Sequence, residues 1–161
     1  MKVSKHAFQR IGLAVSLATM VVVGLAGPVA AGAVTQVDGL LTPDTAGVCL
    51  EDSASVATYT VTGNLTGCWY IDEWTIRGET PSGAIRASGT EVFSGCLNGD
   101  RCGTFWTTYT FTYKVVDGIE THGRCHHPIV GGDGGFAGVK GVLQMHDLPT
   151  GCAVYNGHLF F

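Results

Sequence analysis

The sequence predicts an all-β fold, a small antiparallel up-and-down β-barrel of about eight strands that is stapled by disulfides. Short stretches rich in Thr, aromatic and β-branched residues alternate with glycine-containing turns along the 161-residue chain. The apolar spacing of an amphipathic helix is missing after the N-terminal segment. Six cysteines are available to brace the sheet.

Residues 1–33 are predicted to be a signal peptide, and residues 34–161 a single barrel domain. A basic start, an uncharged apolar run of about 16 residues and a small-residue exit form the layout of an export signal. Cleavage before Val34 and cleavage before Gly32 both satisfy the small-residue rule. An uncleaved membrane anchor is the alternative, although the run is shorter than the roughly 20 residues that a spanning helix needs. We therefore expect a secreted protein.

The net charge of the chain disfavours certain classes of binding partner. The full sequence has 9 Lys and Arg against 13 Asp and Glu, and three of the basic residues, Lys2, Lys5 and Arg10, belong to the leader. The remaining domain carries a net charge near −7. A negatively charged domain is repelled by nucleic acid and by anionic membranes. We therefore predict neither as a partner once the leader is removed.

All six cysteines follow the leader, and an even number in an exported domain indicates three disulfides. Cys96 and Cys102 bracket a turn-forming stretch, which favours a bridge across the neck of a hairpin. Six cysteines allow fifteen pairings, so the other two bridges stay open, with Cys125–Cys152 and Cys49–Cys68 favoured. The predicted half-cystines are Cys49, Cys68, Cys96, Cys102, Cys125 and Cys152.

The clearest strand is predicted at 104–116, where one face is mostly aromatic and the other rich in threonine. The aromatic face consists of Phe105, Thr107, Tyr109, Phe111, Tyr113 and Val115. Further strands are predicted at 56–65, 68–76, 83–93, 118–130, 137–146 and 153–161. Residues 34–50 show no clear period and are a candidate mobile arm preceding the barrel.

A candidate ligand site combines this aromatic face with a charged residue of the preceding strand. Glu91 and Arg86 have opposite parity, so one of them turns inward. A carboxyl group buried in an apolar pocket near a tyrosine is suited to orienting a small ligand. The candidates are Arg86, Glu91, Tyr109, Phe111 and Tyr113. A solvated outer face is the alternative reading of the same residues.

Histidines raise the question of a metal site. His122 and His126 share one strand face, and His127 falls on the other. Two same-face histidines need a third ligand such as His146 or His158 to hold a metal. Ordinary surface histidines explain the pattern equally well, and we predict neither a metal nor a cofactor.

Near the C-terminus, residues 129–141 read IVGGDGGFAGVKG. This stretch resembles the GGTGxFxGAxG signature of the allene oxide cyclase and dirigent superfamily, with Asp133 in place of the usual Thr and Val139 in place of a small residue. The matching positions are Gly131, Gly132, Gly134, Phe136, Gly138 and Gly141. The resemblance implies an eight-stranded antiparallel barrel in which these residues form a structural hairpin. It also implies homo-oligomeric assembly, because such relatives are often dimers or trimers.

Three functions are compatible with these features. The first is a secreted module that binds a small apolar molecule inside the barrel. The second, implied by the resemblance, is a cyclase or isomerase that acts by positioning its substrate. The third is a structural or interaction domain whose interior is filled by its own side chains. A cavity with an inward acid near a tyrosine would favour the first two, and the sequence leaves open whether the protein is an enzyme.

Overall fold

The computed structural model describes residues 33–49 and 55–161, so the predicted signal peptide, apart from Ala33, lies outside the described residues. This part of the chain forms nine antiparallel strands and contains no helix long and apolar enough to span a lipid bilayer. The strands are β1 Val34–Pro43, β2 Ala57–Gly63, β3 Leu65–Ile71, β4 Thr75–Glu79, β5 Ile85–Leu97, β6 Arg101–Val116, β7 Ile119–Gly134, β8 Lys140–Asp147 and β9 Ala153–Phe160.

Eight of these strands close into an antiparallel barrel, which confirms the predicted fold. Neighbours along the sheet are β3, β2, β1, β9, β8, β7, β6 and β5, and pairing of β3 with β5 closes the ring. β4 pairs with the first part of β5, beyond the end of β3, and so extends the same edge. Closure leaves these eight strands without an open edge.

Residues 34–43 are not the mobile arm that the sequence suggested, because they form β1 between β2 and β9. Val37 and Leu41 face the interior and are 2% and 3% exposed. Gly39 separates them, and a Cβ at this position would lie 2.5 Å from the hydroxyl oxygen of Tyr155. Gly39 takes the place of an apolar residue in β1 because the Tyr155 side chain of β9 occupies that space. The missing apolar residue breaks the alternation, so the strand was not recognised from the sequence.

The strand β6 has the two faces predicted for it. Phe105, Thr107, Tyr109 and Phe111 are buried, whereas the residues between them are exposed. Val115 is the exception, with 49% of its surface exposed, because β6 and β7 extend beyond the barrel wall there.

One end of the barrel is closed by an aromatic cluster around Phe136, which lies in the turn between β7 and β8. The Phe136 ring is fully buried, with its centroid 5.2 Å from that of Phe105 and 5.8 Å from that of Phe93. Gly132 leaves the space for this turn, because a Cβ there would lie only 3.0 Å from the Cβ of Phe136. Gly138 has a φ of 75°, which favours glycine. The glycine-rich segment is thus a structural hairpin that plugs the barrel.

All six cysteines lie in the described residues, and two of the three predicted disulfides are present. Cys49–Cys68 joins the segment after β1 to β3, and Cys96–Cys102 bridges the neck of the β5–β6 hairpin. The predicted Cys125–Cys152 bridge is wrong, because both thiols are free. Cys125 is paired with Met145 of β8, and Cys152 lies just before β9. The intervening strand places them about two strand spacings apart, roughly 10 Å, which exceeds the reach of a disulfide.

Candidate functional site

The half of the barrel opposite the Phe136 cluster encloses a cavity of about 380 Å³. Its mouth lies where the β6–β7 and β8–β9 connections meet the segment after β3. Aromatic and aliphatic side chains provide most of the wall, among them Tyr59, Ile71, Trp74, Tyr109, Phe111 and Met145. The volume falls in the range of sites that bind small molecules.

Two polar side chains, Glu91 and His127, lie against each other in this mostly apolar cavity. Glu91 of β5 is 4% exposed and His127 of β7 is 1% exposed. His127 Nδ1 is 2.6 Å from Glu91 Oε2, and the Thr107 hydroxyl donates to the same oxygen over 3.4 Å. We call Glu91 and His127 the inner pair. Burial of such a pair costs free energy unless its polar atoms form hydrogen bonds. Its presence in the cavity therefore points to a role other than stability.

The imidazole of His127 is fixed between two aromatic rings. Tyr109 stacks on it with centroids 5.8 Å apart, and Trp69 meets it edge-on at 5.7 Å. If Nδ1 carried no proton, its lone pair would repel the Glu91 carboxyl oxygen, which lies only 2.6 Å away. We therefore place a proton between these two atoms. In the neutral imidazole protonated on Nδ1, Nε2 is the acceptor.

Buried polar atoms without a well-aligned hydrogen-bond partner concentrate at this cavity. Of the five such side-chain atoms within residues 33–49 and 55–161, four belong to cavity-lining residues. They are Trp69 Nε1, Glu120 Oε1, and both ring nitrogens of His127. His127 Nδ1 lies 2.6 Å from Glu91, and Glu120 shares a hydrogen bond with Asp147, so His127 Nε2 and Trp69 Nε1 are the two that lack any partner. Native interiors satisfy nearly all such groups, and these exceptions indicate a missing partner.

A second pair of carboxyl groups, Glu120 and Asp147, lies at the mouth of the cavity and is here called the mouth pair. The two side chains meet above Gly123, where an added Cβ would collide with Glu120 Oε1 and lie 2.7 Å from Asp147 Oδ2. Burial, a hydrogen bond from one carboxyl group to the other and the charge of Asp147 raise the pKa of Glu120 to about 7. The pair therefore shares a proton near neutral pH.

A β-bulge turns Glu120 toward the cavity. Thr112 pairs with Arg124 and Lys114 pairs with Thr121, so one residue of β6 faces two residues of β7. The extra residue reverses the inward and outward positions of β7 beyond it. Without the bulge, Glu120 would lie on the outer face with Arg124.

Two further titratable groups in the wall are held in their neutral forms. Burial and the charge of Glu91 raise the pKa of the Cys125 thiol well above its usual value, so this cysteine is not an activated nucleophile. Burial likewise raises the pKa of the Tyr109 phenol. The Tyr109 hydroxyl donates to the Glu73 carbonyl over 2.8 Å and so anchors the segment that carries Trp74 across the mouth.

The structure brings together three of the five predicted ligand-site residues. Glu91, Tyr109 and Phe111 line the cavity, and Glu91 is the inward member of the Glu91/Arg86 alternative. Arg86 is exposed on the outer face. Tyr113 is half-buried and stacks on Phe111 at 4.8 Å, but it does not line the cavity.

Sequence reasoning missed His127, Glu120 and Asp147. His127 alternates with Cys125 and Ile129, and that apolar context was an available signal for an inward face. Asp147 continues the inward series of Leu143 and Met145, whereas the bulge concealed Glu120.

No group of three or more His, Cys, Asp or Glu side chains within the described part of the chain is arranged to hold a metal ion. His126 lies on the outer face, where its Nδ1 is 2.6 Å from Gln144 Nε2.

The chain matches no family model, and no curated protein shows significant similarity to it. Among solved structures, it is similar to a protein of unknown function from the DUF3224 family of Shewanella oneidensis. The two chains are 21% identical, and the match covers 80% of this chain and 98% of the other, with a TM-score of 0.49.

Proposed function

We propose that this protein binds a small molecule with a mostly apolar body and a polar group inside its barrel. The observation that carries the proposal is His127, a 1% exposed side chain that lines the cavity and leaves Nε2 without a partner. A ligand hydroxyl or amine that donates to Nε2 would satisfy this atom. The aromatic wall would bury the ligand body.

The division of the interior supports binding over a purely structural role. At one end Phe93, Phe105 and Phe136 fill the barrel, whereas at the other end the cavity stays open. A barrel that served only as a scaffold would gain stability from filling this space and from replacing the inner pair by apolar side chains.

We expect 2-naphthol, a small apolar phenol, to bind one-to-one and to accept excitation energy from the tryptophans that line the cavity. Ala153→Leu should abolish binding, because Ala153 is 7% exposed and its side chain faces the cavity. Val154→Leu is the matched control, since the neighbouring Val154 is 37% exposed and points outward. His127→Phe should weaken binding about fivefold by removing one hydrogen bond.

Equal binding by the Ala153→Leu and Val154→Leu variants would refute this site. So would the absence of 2-naphthol binding together with the absence of any retained molecule in native mass spectrometry of the purified protein.

A second candidate is an isomerase activity in the same cavity that works by proton transfer, in addition to the substrate positioning that the resemblance implies. The observation that favours it is the inner pair, because a carboxylate behind Nδ1 orients an imidazole whose Nε2 is free to accept a proton.

We expect slow conversion of 3-cyclohexenone into 2-cyclohexenone, followed by ultraviolet absorbance. His127→Gln should abolish it if the candidate is right. Equal rates for the wild-type protein and this variant would exclude it.

A further inference from the structure

The charges around the cavity are strongly one-sided. Glu91, Glu120 and Asp147 line it, and His127, already in contact with Glu91, is the single basic side chain among the described lining residues. No Lys or Arg of the described chain lines this cavity. A ligand carrying a carboxylate or phosphate would enter without a countercharge, and desolvation of that anion would be costly.

The mouth pair offers what a cation requires. Its two carboxyl groups converge above Gly123, so that Glu120 Oε1 and Asp147 Oδ2 lie close to one point in the cavity. His127 Nε2, in the same cavity, is a buried ring nitrogen without a partner. Tyr59, Trp69 and Trp74 line the same cavity, and the faces of aromatic rings attract ammonium groups.

Among the residues that the structure describes, the neighbouring elements supply no Lys or Arg side chain to compete with a ligand. Tyr59 of β2 and Cys125 of β7 interact electrostatically with both members of the mouth pair, and both are acids. Glu91 of β5 adds a third carboxyl group to the same cavity. Lys114 of β6 is paired with Thr121, an outward position beyond the bulge.

We propose that the cavity selects small apolar amines, with the ammonium group held by Glu120 and Asp147 and the apolar body enclosed by the aromatic wall. This inference rests on the proposed function and names its ligand class. The ammonium group replaces the proton shared by the mouth pair: the amine enters as the cation, the shared proton leaves to solvent, and no covalent bond to the ligand changes.

Three probes with one skeleton test the selection: 4-phenylbutylamine, 4-phenylbutan-1-ol and 4-phenylbutyrate. In isothermal titration calorimetry at pH 8 we expect the amine to bind at least about tenfold more tightly than the alcohol, and the carboxylate to bind weakest. At pH 5.5 the amine should lose most of this preference, because the pKa of Glu120 near 7 leaves the mouth pair protonated there. At pH 7, titrations in phosphate and in Tris should reveal the release of about half a proton per amine bound.

Glu120→Gln is expected to reduce the preference for amine over alcohol at least about fivefold. Asp117→Asn is the matched control, because it removes one exposed carboxylate at the β6–β7 turn, and Asn tolerates the φ of 52° found there. This control should leave the preference unchanged.

If the alcohol binds as tightly as the amine, or if Glu120→Gln and Asp117→Asn change the preference equally, the selection of amines is overturned while ligand binding by the cavity stands. If none of the three probes binds, the amine inference is overturned. Native mass spectrometry and 2-naphthol binding then decide separately whether the proposed function also fails.

Discussion

Replacement of Phe136 by alanine is expected to lower the free energy of unfolding by about 3–5 kcal/mol, the largest loss from any single core truncation that we predict. The ring is fully buried and contacts Phe93 and Phe105. Its removal leaves a void in a part of the barrel that strand closure keeps from collapsing. Chemical denaturation followed by circular dichroism measures the change.

Phe160→Ala is the matched control for this experiment, because Phe160 is also a phenylalanine near the same end but is 38% exposed. We expect it to cost about 1 kcal/mol or less. If the two truncations destabilise the protein to the same extent, Phe136 is not the plug of the barrel.

The inner pair is expected to be more costly to break than to remove. Glu91→Leu leaves the Nδ1–H group of the buried His127 imidazole without its acceptor and should destabilise the protein by about 1–3 kcal/mol. The double variant Glu91→Leu/His127→Phe replaces both polar groups by apolar ones and should recover most of that loss. Urea denaturation of the wild-type, single and double variants forms a thermodynamic cycle that measures this coupling.

Glu79→Leu provides the control for loss of a carboxylate, because Glu79 of β4 is exposed. A change within about 0.5 kcal/mol is expected there. A double variant that is as unstable as Glu91→Leu alone would show that the two side chains are not energetically coupled.

The architecture was largely predictable from local patterns. On β6, strict alternation over more than ten residues identified the strand and its two faces, because every second side chain of a strand points the same way. Which face turns inward could not be decided from the sequence. The hairpin around Phe136 was implied by the resemblance of its glycine pattern to a known barrel signature, and glycines at this density allow the positive φ and the close backbone approach of such a turn. The Cys96–Cys102 bridge followed from the turn between the two residues.

The candidate site was less predictable because it depends on strands that are distant in sequence. Glu91 was identified, but its partner His127 comes from β7, and only barrel closure brings these strands to the same cavity. The position of Glu120 depends on a bulge that is defined by the register between β6 and β7. The sequence also suggested a Cys125–Cys152 bridge, since counting cysteines carries no information about the strand that lies between them.

Pairing between β1 and β9 has a consequence for how the chain acquires its fold. These strands lie more than one hundred residues apart, yet they align over eight residue pairs. Until the ribosome has released the last of these residues, β1 and β8 remain unprotected edges, and Tyr155 cannot donate its hydroxyl to the Thr62 and Leu65 carbonyls. Closure of the barrel therefore waits for β9, and contacts of such long range make that closing step slow.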